Sequence, residues 1–220
     1  MEMIDGVEWR VSPGLTDYRV GLAAMERRAA AIRADTAPEL AWLVEHPPLF
    51  TAGTSADPAE LFNPQGFDVV DAGRGGRYTY HGPGQRVGYL MLDLERRGRD
   101  IRCFVSCLEG WMIDALAVVG VDARREPGRI GIWTGSGPYE AKIGAIGVRV
   151  KRWVTLHGFS INVSPDLAHF SGIVPCGIEE FGVTSLQALG KAASMTDLDA
   201  ALRFTFPVFL GNLGPNTKHP

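Results

Sequence analysis

The chain has 220 residues, of which 45% are hydrophobic and 21% charged, with a formal net charge of −3. This composition excludes a disordered chain and a generic nucleic-acid binder. The length suits a single domain over residues 1–220 that buries about 70% of its unfolded surface. The acidic start, MEMIDGVEWR, lacks an apolar leader, and the longest apolar run, residues 115–121, is far too short to span a bilayer. A cytoplasmic location without membrane contact is therefore expected. The three cysteines, Cys103, Cys107 and Cys176, then read as reduced thiols rather than a disulfide framework. The charge is uneven: residues 71 to 155 hold 14 Lys and Arg against 9 Asp and Glu, a surplus of +5 that leaves −8 for the rest. Such a basic middle either steers an acidic partner or is a set of ordinary solvated arginines.

Residues 16–34 are predicted as the first helix, with Asp17 in its first turn and an imperfect apolar stripe through Tyr18, Leu22, Met25 and Ile32. Residues 40–45 read as a strand stopped by His46-Pro47-Pro48, residues 56–67 as polar and turn-rich, and Val69-Val70 as the start of a second strand. Residues 77–80 and 86–94 look like two strands in a hairpin-like connection through Gly82-Pro83-Gly84. The strongest helix covers residues 101–119, where Phe104, Leu108, Trp111, Met112 and Ala115 recur at helical spacing before Gly120. Cys103 and Cys107 lie on it four positions apart. With no His or further Cys at a zinc-site spacing they read as plain helix cysteines, and no metal or cofactor is expected.

Strands over 130–133, 141–151 and 153–163 follow, the last two forming an antiparallel hairpin at Arg152-Trp153. Residues 164–170 read as a turn or short helix and 184–189 as another short helix. Residues 196–210 close the chain as a helix with Asp197 and Asp199 in its first turn. Helices and strands show no βαβ alternation, so the expected class is α+β with a mainly antiparallel sheet.

Three segments hold more special residues than folding alone requires. In Arg74-Gly75-Gly76-Arg77-Tyr78-Thr79-Tyr80-His81, paired glycines allow a backbone to approach a ligand, although a tight turn capped by His81 would look the same. In 141–149, Lys142 stands in an apolar, glycine-punctuated strand. On the solvent face it would be inert; in a cleft it would be a usable acid–base group. In Pro175-Cys176-Gly177 the rigid turn suits a nucleophilic thiol beside a cation, or a small buried apolar cysteine.

Taken together, these segments resemble a known family, the octanoyl-acyl-carrier-protein:protein N-octanoyltransferases, also called lipoate-protein ligase B. The run from Arg74 to His81 with Gln85 and Tyr89, the Lys-Ile-Gly segment at Lys142, His157-Gly158-Phe159-Ser160-Ile161-Asn162 and the Pro175-Cys176-Gly177 turn match in order and spacing. The resemblance implies a biotin/lipoate protein ligase fold, α+β with a mixed, largely antiparallel sheet flanked by helices, and a monomer. It also implies transfer of octanoate from acyl carrier protein to a lysine of lipoyl domains, as in 2-oxoacid dehydrogenases and the glycine cleavage H protein. Cys176 would carry the acyl thioester and Lys142 would serve as its partner. Arg74, Gly75, Gly76, Arg77, Tyr78, Thr79, Tyr80 and His81, with Ala145, Ile146, Gly147, Gly158, Phe159 and Ser160, would line the acyl site. The competing reading is an ATP-dependent lipoate-protein ligase; a Cys–His hydrolase and an acyl-binding module are further ones.

Overall fold

A strand that is apolar at every inner position needs cover on both faces, and Glu39–Glu45, ELAWLVE, is of that kind. The computed structural model describes residues 2–174 and 182–214, and there this strand lies inside a sheet with helices on either side. In chain order the elements are β1 (Glu2–Ile4), β2 (Val7–Leu15), α1 (Tyr18–Arg33), β3 (Glu39–Glu45), β4 (Leu49–Ala52), β5 (Asp68–Asp71), β6 (Thr79–His81) and β7 (Gln85–Met91). Then follow α2 (Ile101–Val118), β8 (Ala123–Glu126), β9 (Arg129–Thr134), β10 (Ala141–Lys151), β11 (Val154–Asn162), β12 (Gly182–Val183) and α3 (Met195–Asn212).

The main sheet runs β1-β2-β3-β7-β11-β10-β9-β8, and β12 pairs with β10 at residues 141–142, beyond the point where β11 ends. A second sheet has the order β5-β4-β6. Side chains alternate between two layers along the central strands. Leu40, Trp42 and Val44 of β3 join Val87, Tyr89 and Met91 of β7 under Met25 and Ile32 of α1. Ala41 and Leu43, with Leu90, Phe159 and Ile161, meet Trp111 and Phe206 of α2 and α3 on the opposite face. Each helix starts at a side-chain cap. Asp17 accepts from Val20 N–H, so it stands just outside α1 rather than in its first turn; Asp100 caps α2, and Ser194 with Asp197 forms a capping box for α3.

The sheet is mixed and largely antiparallel, as expected, but three sequence readings change. β2, α1 and β3 form a parallel crossover, so one βαβ unit is present. The strand preceding Gly82 and the one following Gly84 do not pair: β6 bonds to β4 and β7 to β3 and β11, and the Gly82–Gln85 turn carries the chain from one sheet to the other. Residues 184–189 form no helix but lead into a turn over 186–190, because Leu186 and Gln187 donate to Asn162 and Val163 instead of to their own segment. The strands β1, β2, β4 and β8 escape the sequence pattern. They are short or carry charged residues whose burial depends on pairing, as with Glu8 of β2, held by Arg10 and Arg28.

Most of the basic residues in the middle of the chain are matched locally. Arg125 pairs with Glu109, Arg149 and Lys151 with Glu26, and Arg86 with Asp199, so the field offered to a partner is smaller than the raw count implies. Glu39 and Arg97 form a fork whose side chains are each only 3% exposed, and Glu39 also accepts the Asp93 N–H at 2.6 Å. Replacing one member of such a pair leaves the other charged group buried. Arg97→Met is expected to lower the unfolding free energy by about 3 kcal/mol, measured by urea denaturation; a loss below about 1 kcal/mol would show the pair to be solvated.

Candidate active site

The glycine-rich loop is held by its own arginine. Arg74 is buried; its guanidinium donates to the Thr51 hydroxyl at 2.8 Å, the Thr51 carbonyl at 3.0 Å and the Gly75 carbonyl at 2.9 Å. The loop then packs on the turn after β4, where Thr54 N–H donates to Arg74 O and Ser55 N–H to Gly76 O. Only glycine fits at position 53, since a Cβ there would overlap the Gly76 carbonyl, and Gly76 itself has φ of +93°. On its other side Gly75 N–H donates to Val148 O at 3.0 Å, tying the loop to β10.

The floor is the β10–β11 hairpin, in which Ala145 faces Ser160, Ile146 faces Phe159, Gly147 faces Gly158 and Val148 faces His157. Between loop and hairpin lies a cleft of about 630 Å³, a size ordinary for a small-molecule site. Thirteen of the fourteen residues expected at the acyl site line it: Arg74, Gly75, Gly76, Arg77, Tyr78, Thr79, His81, Ala145, Ile146, Gly147, Gly158, Phe159 and Ser160. Tyr80 does not. The alternation of β6 turns it into the small-sheet core, where it packs on Phe50 and Phe170 and its hydroxyl meets His169 Nδ1 at 2.8 Å.

Lys142 lies at one end. It is 6% exposed and borders a small cavity of about 20 Å³ that shares Tyr78, Thr79, Ala145 and Ser160 with the cleft. The solvated alternative for this lysine is thereby removed. Cys176 falls outside the described residues. On the chain beyond it, Gly182 and Val183 pair with Ala141 and Lys142, and Thr184 N–H donates to the Lys142 carbonyl at 2.9 Å.

Sequence reasoning did not assign Tyr18, Val87, Tyr89 and His157 to the cleft, although they line it. Tyr89 and His157 stood in the matched motifs, which was the available signal. His46 lies beside them: its Nδ1–H donates to Thr16 O and its Nε2 accepts from the Tyr89 hydroxyl, both at 2.6 Å. His81 Nδ1–H donates to Gln85 Oε1 at 2.7 Å, and Gln85 in turn donates to Asn162 Oδ1 at 2.9 Å. These rings are neutral. Burial pushes His46 down, burial with the His46 ring beside it pushes His81 down to about 3, and burial followed by the Arg74 and Arg149 charges pushes His157 down to about 4. Burial also raises Tyr18 to about 12 and Tyr89 well above the usual phenol range. The histidines and tyrosines at this end of the cleft are thus uncharged, and the one guanidinium among them, that of Arg74, donates to Thr51 and Gly75. Among the described residues no group of three His, Cys, Asp or Glu side chains is gathered as a metal ion would need, and no helix is long and apolar enough to cross a membrane.

The fold is shared with solved lipoate and biotin protein ligases. The chain superimposes on a bipartite lipoate protein ligase from Thermoplasma acidophilum with a TM-score of 0.70, at 16% identity over 93% of this chain and 84% of that one. A biotin protein ligase from Aquifex aeolicus matches with a TM-score of 0.51, at 11% identity over 96% of this chain and 70% of that one. Residues 17–206 match the lipoyl protein ligase A/B catalytic domain. The chain is 70% identical to an octanoyltransferase of Sphingopyxis alaskensis over 95% of its length and 96% of the relative's, and 63% identical to one of Rhizorhabdus wittichii over 99% and 98%. It belongs to the lipoyl protein ligase A/B catalytic domain family and, within it, to the octanoyltransferases, which are acyltransferase enzymes.

The neutral histidines couple stability to pH. The unfolded chain protonates each ring near pH 6.5, whereas the fold resists until about pH 4 for His157 and about pH 3 for His81. Below pH 6.5 the unfolded state therefore holds more protons, so stability is lost as pH falls. The loss approaches about 1.4 kcal/mol per pH unit for each ring, while the curve from these groups is flat above pH 7. Urea denaturation at pH 7, 6 and 5 is expected to show this decline, and His157→Gln to make it shallower by one ring's share; an unchanged slope in that variant would contradict the assignment.

Proposed function

We propose that the chain takes an octanoyl group from acyl carrier protein and delivers it to the lysine of lipoyl domains, in the cytoplasm, through a thioester on Cys176. The observation that carries this reading is the buried amine of Lys142, set at the end of a largely apolar cleft beside a glycine-rich loop. The name of its relatives, octanoyltransferase, agrees with that chemistry. In the chain Cys176 comes six residues before Gly182, which with Val183 pairs with Ala141 and Lys142.

In the first step the Cys176 thiolate attacks the carbonyl of the phosphopantetheine thioester. The new C–S bond forms, the old one breaks, and the departing thiolate takes a proton from the Lys142 ammonium. In the second step the amine of the acceptor lysine attacks the Cys176 thioester, its proton passes to the now neutral Lys142, and the Cys176 thiolate leaves. Exchange of one thioester for another is nearly thermoneutral and amide formation is downhill, so ATP is not needed. A backbone N–H near the glycine-rich loop, other than that of Gly75, which donates to Val148 O, would stabilise the carbonyl oxygen as it becomes negative.

Intact-protein mass spectrometry tests the reading, with octanoyl-acyl carrier protein and no ATP, with and without an apo lipoyl domain. A hydroxylamine-labile octanoyl adduct on Cys176, lost as the lipoyl domain gains the same mass, is expected. Transfer only with ATP and free acid would establish the ligase reading instead. Cys176→Ser and Lys142→Ala are each expected to slow transfer by about 10³-fold or more; near-normal transfer in either would remove that residue from the chemistry.

A further inference from the structure

β9 surrounds Lys142 with an arrangement that sheet formation alone does not require. Trp133 is the direct cross-strand partner of Lys142, and the lysine Nζ stands 5.8 Å from the centroid of the indole. That is within range of a cation–π attraction. The Arg129 guanidinium lies 4.7 Å from the centroid of the same indole, and the indole Nε1–H donates to the Arg129 carbonyl at 3.4 Å. Arg129 is in turn held by Glu140 at 2.8 Å and Glu126 at 3.3 Å. Trp133 is 2% exposed, so packing holds the plane of the indole.

Two residues earlier, Gly131 adopts φ of +116°, a region that side chains disfavour. A Cβ placed there would lie 2.8 Å from Lys142 Nζ, closer still to Lys142 Cε, and 2.7 Å from the Gly144 carbonyl. The ladder is irregular at the same point: it passes from Lys142 opposite Trp133 to Gly144 opposite Ile132, leaving Ile143 as a bulge in β10. Bulges re-aim the side chains next to them.

We propose that Gly131 and Trp133 are positioning residues for Lys142. Gly131 leaves the space through which the aliphatic stem runs, and the Trp133 face holds the stem and amine in one rotamer at the end of the cleft. The proposal rests on the reading of Lys142 as the acid–base group. A lysine side chain left to itself samples many rotamers, and an acid–base group must stand within hydrogen-bond reach of the atom it serves. Gly131 and Trp133 touch no reacting atom; they act through the lysine.

The test uses Trp133→Phe, which keeps an aromatic face, Trp133→Leu, which does not, and Gly131→Ala, which fills the channel. Trp133→Leu is expected to lower kcat for octanoyl transfer about 10-fold with KM for octanoyl-acyl carrier protein changed by less than about twofold, and Trp133→Phe to stay within about threefold of the parent. A second readout does not depend on transfer: acetylation of Lys142 by acetic anhydride, followed by peptide mass spectrometry against the exposed Lys151 and Lys191. Lys142 is expected to be protected in the parent and to label at least about fivefold faster in Gly131→Ala and Trp133→Leu, because a displaced amine gains solvent. Equal kcat in the Phe and Leu variants, or unchanged Lys142 labelling in folded Gly131→Ala, would overturn the proposal. If Gly131→Ala fails to fold, the Trp133 pair decides alone. If the parent shows no transfer at all, the functional reading fails while the labelling still judges the positioning.

Discussion

The register of the β10–β11 hairpin governs the rest of the site. Eight cross-strand pairs run from Lys151–Val154 to Gly144–Ile161, and they set which glycines and side chains meet over the cleft floor. A slip of one residue would send every side chain of one strand to the other face. The register is pinned at a two-residue turn, Arg152-Trp153, in which both residues have positive φ, +49° and +64°. This is the turn whose twist suits a tight hairpin, but Asn-Gly is its usual sequence. The local strain of two bulky residues is offset by tertiary contacts: Leu94 N–H donates to Trp153 O at 2.8 Å, Arg33 donates to Arg152 O, and Arg99 lies over the Trp153 ring at 5.5 Å.

From that floor a chain of buried polar contacts links parts of the site that are far apart in sequence. His81 donates to Gln85, Gln85 to Asn162, Asn162 to the Thr184 carbonyl at 2.9 Å, and Thr184 N–H to the Lys142 carbonyl. Buried polar groups are tolerable only when their partners are in place, so such a chain holds the glycine-rich loop, β11 and β10 in one relative position. Burial keeps His81 uncharged even though its bond to Gln85 favours the protonated ring, and with His46 and His157 pushed down as well, none of the three rings sets a desolvated charge against an apolar chain.

What could be read from the sequence was whatever repeats locally. The α1 and α2 helices follow from their apolar spacing and stop signals, and β10 and β11 from their long alternating runs. β1, β2, β4 and β8 were not legible. β8, Ala-Arg-Arg-Glu, has hardly any apolar signal and is held by ion pairs from Arg124 to Glu126 and Glu140. The parallel β2–α1–β3 crossover was missed because one of its strands was, and the false hairpin at Gly82–Gly84 arose because a turn looks the same whether it joins partners or neighbouring sheets.

For the site, the sequence by itself determined the chemical types: a glycine pair after an arginine, a lysine in an apolar strand, histidines and a cysteine in a matching order. Only the tertiary structure decided which of these converge. It turned Tyr80 away and brought in Tyr18, Tyr89 and His157, and it set Lys142 inside rather than in solvent. The physical reason is that a side chain's face depends on strand parity, bulges and the sign of φ at single residues such as Gly131 and His157. Those are resolved only when non-local pairing closes the sheet.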